Sequence, residues 1–323
     1  MRAMRTESFG GYTDLKLVEI SKPVPGEGEV LVRITAAGVT PLDNTILGGH
    51  FPLSTGPLVL GNEGAGIVEG GATTEFPDGT RVMFTGPFGV FQQGTYAEYV
   101  AVPTELLCRI PDNIDDVSAA GIPVAYLTAY LALHNAGFAA GKVVFAPAIG
   151  GSVGNAATQL ARALGAKHSI SSTTSHEKAE EAKRLGFAEV IDLTQESITA
   201  GITRITSSHG ADIVIDGIGG KILSETLKVL AQGGSLTTLG YAGGQETTIN
   251  VTDLIWKVGS IKSFLLFGET IDARNHAWAE VSRLLTLGLI KPIVAKTFTL
   301  EQAAEALRYL TEERPLGRVI LKI

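Results

Sequence analysis

Hydrophobic residues fall along this chain in two rhythms. Up to about residue 122 they come in short β-rich runs, at 15–20, 29–36, 65–69, 81–84 and 95–102, with Gly and Pro between them. Short strands at this spacing predict an irregular, mostly antiparallel barrel or sandwich. From about residue 123, strand-like runs alternate with helical ones. The stretch beginning at Val143 reads as a buried strand, a tight glycine turn through Gly154, and an apolar helix closed by Gly165. After it the pattern predicts strands at 167–172, 189–192, 212–216, 235–239 and 260–267. Helices are predicted between them at 176–185, 197–208 and 221–231. Strands joined by helices run parallel, so this part is α/β with a doubly wound sheet. The tail adds helices at 273–287 and 301–312, the second with Thr299 as N-cap, and a strand at 319–323. Because the β-rich part has no covering helices of its own, the tail is expected to fold back onto it. The α/β domain, 123–267, is then an insertion into a domain made of 1–122 and 268–323.

Charge narrows the partners. Lys and Arg number 26 against 33 Asp and Glu, a net charge of −7 with no basic block. Nucleic acid and anionic membrane are therefore poor partners. No signal-like apolar core opens the chain and no apolar run approaches the roughly 18 residues a membrane span needs. A cytoplasmic location is expected. A single cysteine, Cys108, excludes an internal disulfide and a Cys-rich zinc site, and with no His close in sequence it reads as a small strand-facing hydrophobe rather than a nucleophile.

The glycine turn carries the first chemical signal. In Ala148-Ile149-Gly150-Gly151-Ser152-Val153-Gly154, the spacing of Ala148, Gly151 and Gly154 matches the dinucleotide fingerprint with Ala in the first glycine place. Gly151 lets the backbone approach a pyrophosphate, and Gly154 lets the helix pack closely. The phosphates are then expected at the helix N-terminus, around Ser152 and Val153, where unpaired N–H groups favour negative charge. An NAD site carries Asp or Glu at the end of the second strand, about 20 residues on. Here that place holds Ser171-Ser172-Thr173-Thr174-Ser175, with Lys178 following. Ser172, Thr174 and Lys178 could hold a 2′-phosphate, which favours NADPH. The plainer alternative is that Lys178 is a solvated helix residue.

These motifs, with residues 38–43 (GVTPLD), 61–68 (GNEGAGIV), 94–99 (GTYAEY) and Asp216-Gly217-Ile218-Gly219, resemble the zinc-independent, zeta-crystallin-like quinone oxidoreductases of the medium-chain dehydrogenase/reductase superfamily along essentially the whole length. The resemblance implies a GroES-like β-rich catalytic domain split around a Rossmann domain, with the active site in the cleft between them. It implies catalytic roles for Thr40, Asp43 and Thr128, with Thr128 near the nicotinamide carboxamide or, alternatively, an ordinary helix hydroxyl. It further implies cofactor contacts from Gly217, Gly240, Tyr241, Phe264 and Phe267, and a substrate pocket from His50, Phe51 and Tyr241. Zinc-dependent relatives carry Cys near Val39-Thr40 and His at the place of Asn62. This chain has neither, so a catalytic zinc cannot be assembled in the usual way.

The expected activity is therefore metal-free hydride transfer from NADPH to quinones or other conjugated carbonyl compounds. An enone or alkenal double-bond reductase is the second possibility. Enoyl-thioester reduction is disfavoured, because Phe51 occupies the place of a proton-donating Tyr in enoyl-thioester reductases of the superfamily. His50 next to it could give a proton instead. An NADPH-binding sensor or structural protein with little turnover is the third. The resemblance also implies a homodimer, paired through the sixth strand.

Overall fold

The computed structural model describes residues 1–51 and 53–323, which divide into two compact units. Pro52, read above with His50 and Phe51, lies outside the described residues. The first unit comprises 1–124, 270–286 and 292–323; the second comprises 125–269 and 287–291. The short return of 287–291 to the second unit has a visible anchor. Gln159 accepts from the Lys291 N–H at 2.7 Å and donates to its carbonyl at 2.9 Å.

The first unit is organised on strand Glu29–Val39, whose core-facing residues are apolar and buried. It pairs antiparallel with Glu63–Val68, Tyr99–Pro103 and the C-terminal strand Arg318–Lys322. Strands Val294–Thr299, Arg81–Thr85 and Leu107–Arg109 complete a seven-stranded sheet, in which only Val294–Thr299 and Arg318–Lys322 run parallel to each other. Val30, Val32, Ile34, Phe84 and Phe88 centre its core. A smaller antiparallel sheet joins Leu15–Glu19, Arg2–Thr6 and Leu58–Val59.

The second unit is a six-stranded, wholly parallel sheet. Across it run Val190–Asp192, His168–Thr173, Val143–Phe145, Ala211–Asp216, Leu230–Thr238 and Ser260–Ser263. Numbered along the chain this is the order 3-2-1-4-5-6, the doubly wound Rossmann arrangement with its switch point beside the first strand.

Several boundaries differ from the sequence reading. The helix expected over 221–231 is Gly220–Leu227, and the chain is already in strand at Leu230, which pairs with Ala211. An irregularity between Ala211 and Ile213, with Gly233 at φ 72°, lets this strand start early. The sixth strand ends at Ser263 because its partner ends at Thr238; residues 266–268 turn instead into a 3₁₀ helix. The last helix is Ala303–Arg308 between a 3₁₀ turn, capped by Thr299 as expected, and a π-helical turn, Tyr309–Glu313. The strand expected over 95–102 begins only at Tyr99.

Candidate functional site

Strand Val143–Phe145 is wholly buried. It leads into a turn that Ala148 enters at φ 64°. A residue with a Cβ holds this left-handed conformation at about 1–2 kcal/mol, so Ala148 sits in the fingerprint's first glycine place under strain. The turn closes with the Gly151 N–H donating to the Ala148 carbonyl at 2.9 Å, and Gly150 is half-buried within it. Gly151 is then the N-cap of helix Ser152–Ala163 and offers no side chain to the first turn. The N–H groups of Ser152, Val153 and Gly154 are left without a capping oxygen, as an anion site requires. A Cβ on Gly154 would stand 2.5 Å from the carbonyl oxygens of both Pro147 and Ala148. Glycine there is what lets the helix start so close to the turn.

The neighbouring strand lies against this turn, since the Ser172 carbonyl accepts from Ile149 at 2.9 Å. Ser172 is buried and Thr174, just past the strand, is exposed. Ser175 caps helix His176–Arg184 by accepting from the Lys178 N–H, which puts Lys178 in the first turn. The carboxylate of the next strand is Asp192, in register with Thr173. It is engaged by Thr194 through N–H and hydroxyl at 2.9 and 2.7 Å and by His176 Nδ1 at 2.7 Å. These bonds, those of Thr194 foremost, hold its pKa below the usual carboxylate value.

The fourth and fifth strands end in loops that touch through glycines. Buried Asp216 accepts from the N–H groups of Ile218 and Gly219, at 2.9 Å for Ile218. Burial raises its carboxyl above the usual range, with those bonds pulling the other way. The Gly243 N–H donates to the Ile218 carbonyl at 2.7 Å, and Gly240 packs on the Gly217 backbone, where a Cβ would clash. Tyr241 projects at 49% exposure beside them. Phe264 is buried and its N–H reaches the Thr238 carbonyl at 3.0 Å; Phe267 lies farther on, half-buried in the 3₁₀ turn. Thr128 lies in helix Pro123–Asn135 at 7% exposure. The Thr158 hydroxyl bonds the Gly154 carbonyl four residues back.

In the first unit the candidates acquire a different character. Thr40 and Asp43 form a capping box on helix Pro41–Leu47, which the sequence reading missed. Asp43 Oδ2 accepts from the Thr40 N–H and hydroxyl at 2.8 Å each and from the Tyr96 hydroxyl at 3.1 Å; Oδ1 accepts from the Gly61 N–H at 3.2 Å. Asp43 is fully buried, and burial raises its carboxyl above the usual range despite the donors. Asp43 thus ties the Thr40 turn to Gly61 and Tyr96, and the Thr40 hydroxyl is bonded within that tie. Beside it, Glu63 pairs with Arg318, both buried, and accepts from the Val124 N–H at 2.7 Å. Burial raises the Glu63 carboxyl, with Arg318 opposing. Glu63 and Tyr96 lie in stretches that carry the resemblance but were not singled out, Arg318 gave no local signal, and Thr40-x-x-Asp43 has the spacing of a capping box. Asn62 is buried with its Oδ1 unpartnered. His50 is exposed, and Phe51 is half-buried with its ring 6.2 Å from that of Phe91. Among the described residues no group of three or more His, Cys, Asp and Glu could hold a metal ion.

Known proteins share this construction. Residues 26–112 match the alcohol dehydrogenase GroES-like domain, and 152–286 match the family described as zinc-binding dehydrogenase. A quinone oxidoreductase of Lama guanicoe is 32% identical, over 99% of this chain and 97% of that protein. A 2-haloacrylate reductase of a Burkholderia species is 31% identical, over 97% of each. The crystal structure of Escherichia coli quinone oxidoreductase complexed with NADPH superposes with a TM-score of 0.89 at 26% identity, over all of both chains.

Proposed function

The chain belongs to the quinone oxidoreductase family of the medium-chain dehydrogenase/reductase superfamily, and on that premise we propose that it reduces quinones and related conjugated carbonyl compounds with NADPH and without a metal. The observation that carries the cofactor half is the uncapped start of helix Ser152–Ala163 against the close Gly154 contact. That cradle fits a dinucleotide pyrophosphate: donors point outward and no side chain fills the approach. Ser172, Thr174 and Lys178 would hold the 2′-phosphate, and the carboxylate of the neighbouring strand, Asp192, is already bonded to Thr194 and His176. The similar E. coli quinone oxidoreductase, whose structure is a complex with NADPH, supports the same choice.

When bound, reduced nicotinamide supplies a hydride to an electron-poor acceptor. The residues of this chain bind and orient. Thr128 would offer its hydroxyl to the nicotinamide carboxamide, and Gly240 and Phe264 would offer backbone past the ends of the fifth and sixth strands. A hydride and one proton turn a quinone into its hydroquinone. The proton can come from water, so this acceptor demands no acidic side chain, consistent with Phe51 in a place where a Tyr would serve as donor. That Thr40 and Asn62 stand in the turns where zinc-dependent relatives have Cys and His supports chemistry without metal. Reduction of a carbon–carbon double bond is the second reading, favoured by the likeness to a 2-haloacrylate reductase; His50 would be its proton source. We also propose a homodimer, because strand Ser260–Ser263 is an outer strand with all four residues exposed, bordered by exposed Trp256, Val258 and Leu265.

Substitution tests the cofactor assignment. Lys178→Ala should raise the KM for NADPH about 10-fold and that for NADH less than about 2-fold, the loss of one charge-assisted phosphate contact. Equal effects on the two would refute the phosphate role.

A further inference from the structure

Two strands on one side of the parallel sheet end together. Thr173, the last residue of His168–Thr173, is in register with Asp192, the last of Val190–Asp192, and the Leu193 N–H donates to the Thr173 carbonyl at 2.9 Å. Neighbouring strands lie about 4.8 Å apart, so Asp192 stands beside the strand end that leads into Thr174 and the Ser175 cap. The bonds from Thr194, then that from His176, hold its pKa below the usual carboxylate value, and it is charged at neutral pH. Two nearby carboxylates are engaged elsewhere, Glu189 by His168 and the Ser169 N–H at 2.6 and 2.9 Å, and Glu196 by Arg204. A charged Asp192 here works against a phosphate, because a carboxylate by the 2′-position suits a ribose hydroxyl and repels a 2′-phosphate. Of the two side chains bonded to Asp192, Thr194 is neutral and His176 alone can carry positive charge. Thr194 takes Oδ1 with both its N–H and its hydroxyl, and His176 Nδ1 lies 2.7 Å from Oδ2. His176 opens helix His176–Arg184, two residues after Thr174 and two before Lys178, and is exposed.

We infer that His176 is a specificity-determining residue for the cofactor: it pairs with Asp192 and cancels the carboxylate charge that would otherwise repel a 2′-phosphate at this strand end. The inference rests on the NADPH reading and deepens it, because it names the group that lets Ser172, Thr174 and Lys178 meet a phosphate beside a carboxylate. The ribose hydroxyl of NADH carries no charge and does not need the pair.

Fluorescence titration with NADPH and with NADH tests this in wild type, His176→Gln and His176→Gln/Asp192→Asn. Glutamine keeps a hydrogen-bond donor for Asp192 and removes the positive charge. His176→Gln should raise the Kd of NADPH about 5-fold, the effect of one uncompensated charge at short range in solvent, and that of NADH less than about 2-fold. Adding Asp192→Asn removes the repelling charge, and the double variant should bind NADPH within about 2-fold of wild type. A purely structural role for His176 would move both cofactors together and would not be rescued by Asp192→Asn. Equal changes for the two cofactors, unchanged NADPH affinity in His176→Gln, or a double variant that binds NADPH as weakly as His176→Gln would each overturn the inference. If wild type binds NADPH no more tightly than NADH, the NADPH reading itself fails. The inference then stands if His176→Gln weakens NADPH alone, and falls if it does not.

Discussion

Replacing Gly154 by Ala tests whether the close approach of helix Ser152–Ala163 to the glycine turn makes the cofactor site. The added Cβ would meet the Pro147 and Ala148 carbonyl oxygens at 2.5 Å and the Ala148 carbonyl carbon at 3.1 Å. Ordinary contact distance is about 3.5 Å, so turn and helix must separate by about 1 Å. Both clashing groups are backbone, and no side chain can rotate away. Overpacking of this kind costs about 1–3 kcal/mol. A shift of about 1 Å also withdraws the Ser152 and Val153 N–H groups from the phosphates, and NADPH affinity should fall about 10-fold or more. Fluorescence titration with NADPH and thermal denaturation read the two effects. Ala148→Gly is the opposing control. It relieves about 1–2 kcal/mol of left-handed strain and gives back about 0.4–1 kcal/mol through a freer unfolded chain. That variant should be no less stable than wild type. If Gly154→Ala binds NADPH with unchanged affinity and melts unchanged, the close approach has no part in binding.

Asp43→Asn should destabilise the first unit by about 1–3 kcal/mol near neutral pH, because an amide NH₂ would face donors that now meet a carboxylate; a wild-type melting temperature would show that these bonds do not hold the turn. The same variant carries a pH signature. The Asp43 carboxyl is raised above its usual value by burial, so its contribution to stability is full below about pH 4 and is lost as pH rises through the raised value. Stability of Asp43→Asn should therefore decline less steeply above about pH 4 than that of wild type, and parallel melting curves across pH would count against it. Burial pushes the Cys108 thiol up to about 11, with Ser282 opposing as a hydrogen-bond partner. Iodoacetamide at neutral pH should leave Cys108 unmodified in the folded protein and label it once urea unfolds the chain; rapid labelling of the native protein would show a thiol more open than this.

Much of the architecture was legible because local signals agreed with the final packing. Gly165, which closes its helix in the sequence reading, adopts positive φ at 88°, and Gly186 and Gly288 do the same just past their helices, at 91° and 68°. Residues 228–231 misled because an apolar pattern that fits a helix also fits a buried strand, and pairing of Leu230 with Ala211 decided it. Helix Pro41–Leu47 has only seven residues, too few for a periodic pattern, although its capping pair was in view. The Glu63–Arg318 pair joins positions 255 residues apart, and Tyr96 reaches Asp43 across 53. No local pattern announces such partners.

Turnover decides whether this chain moves hydride from NADPH to a quinone without a metal. The most direct measurement follows NADPH absorbance during turnover with 1,4-benzoquinone, in the presence and absence of a strong chelator, beside NADH as alternative donor. Turnover should persist with the chelator present and should prefer NADPH. Tight NADPH binding with no turnover of either benzoquinone or an enone, or activity abolished by the chelator and restored by zinc, would contradict it.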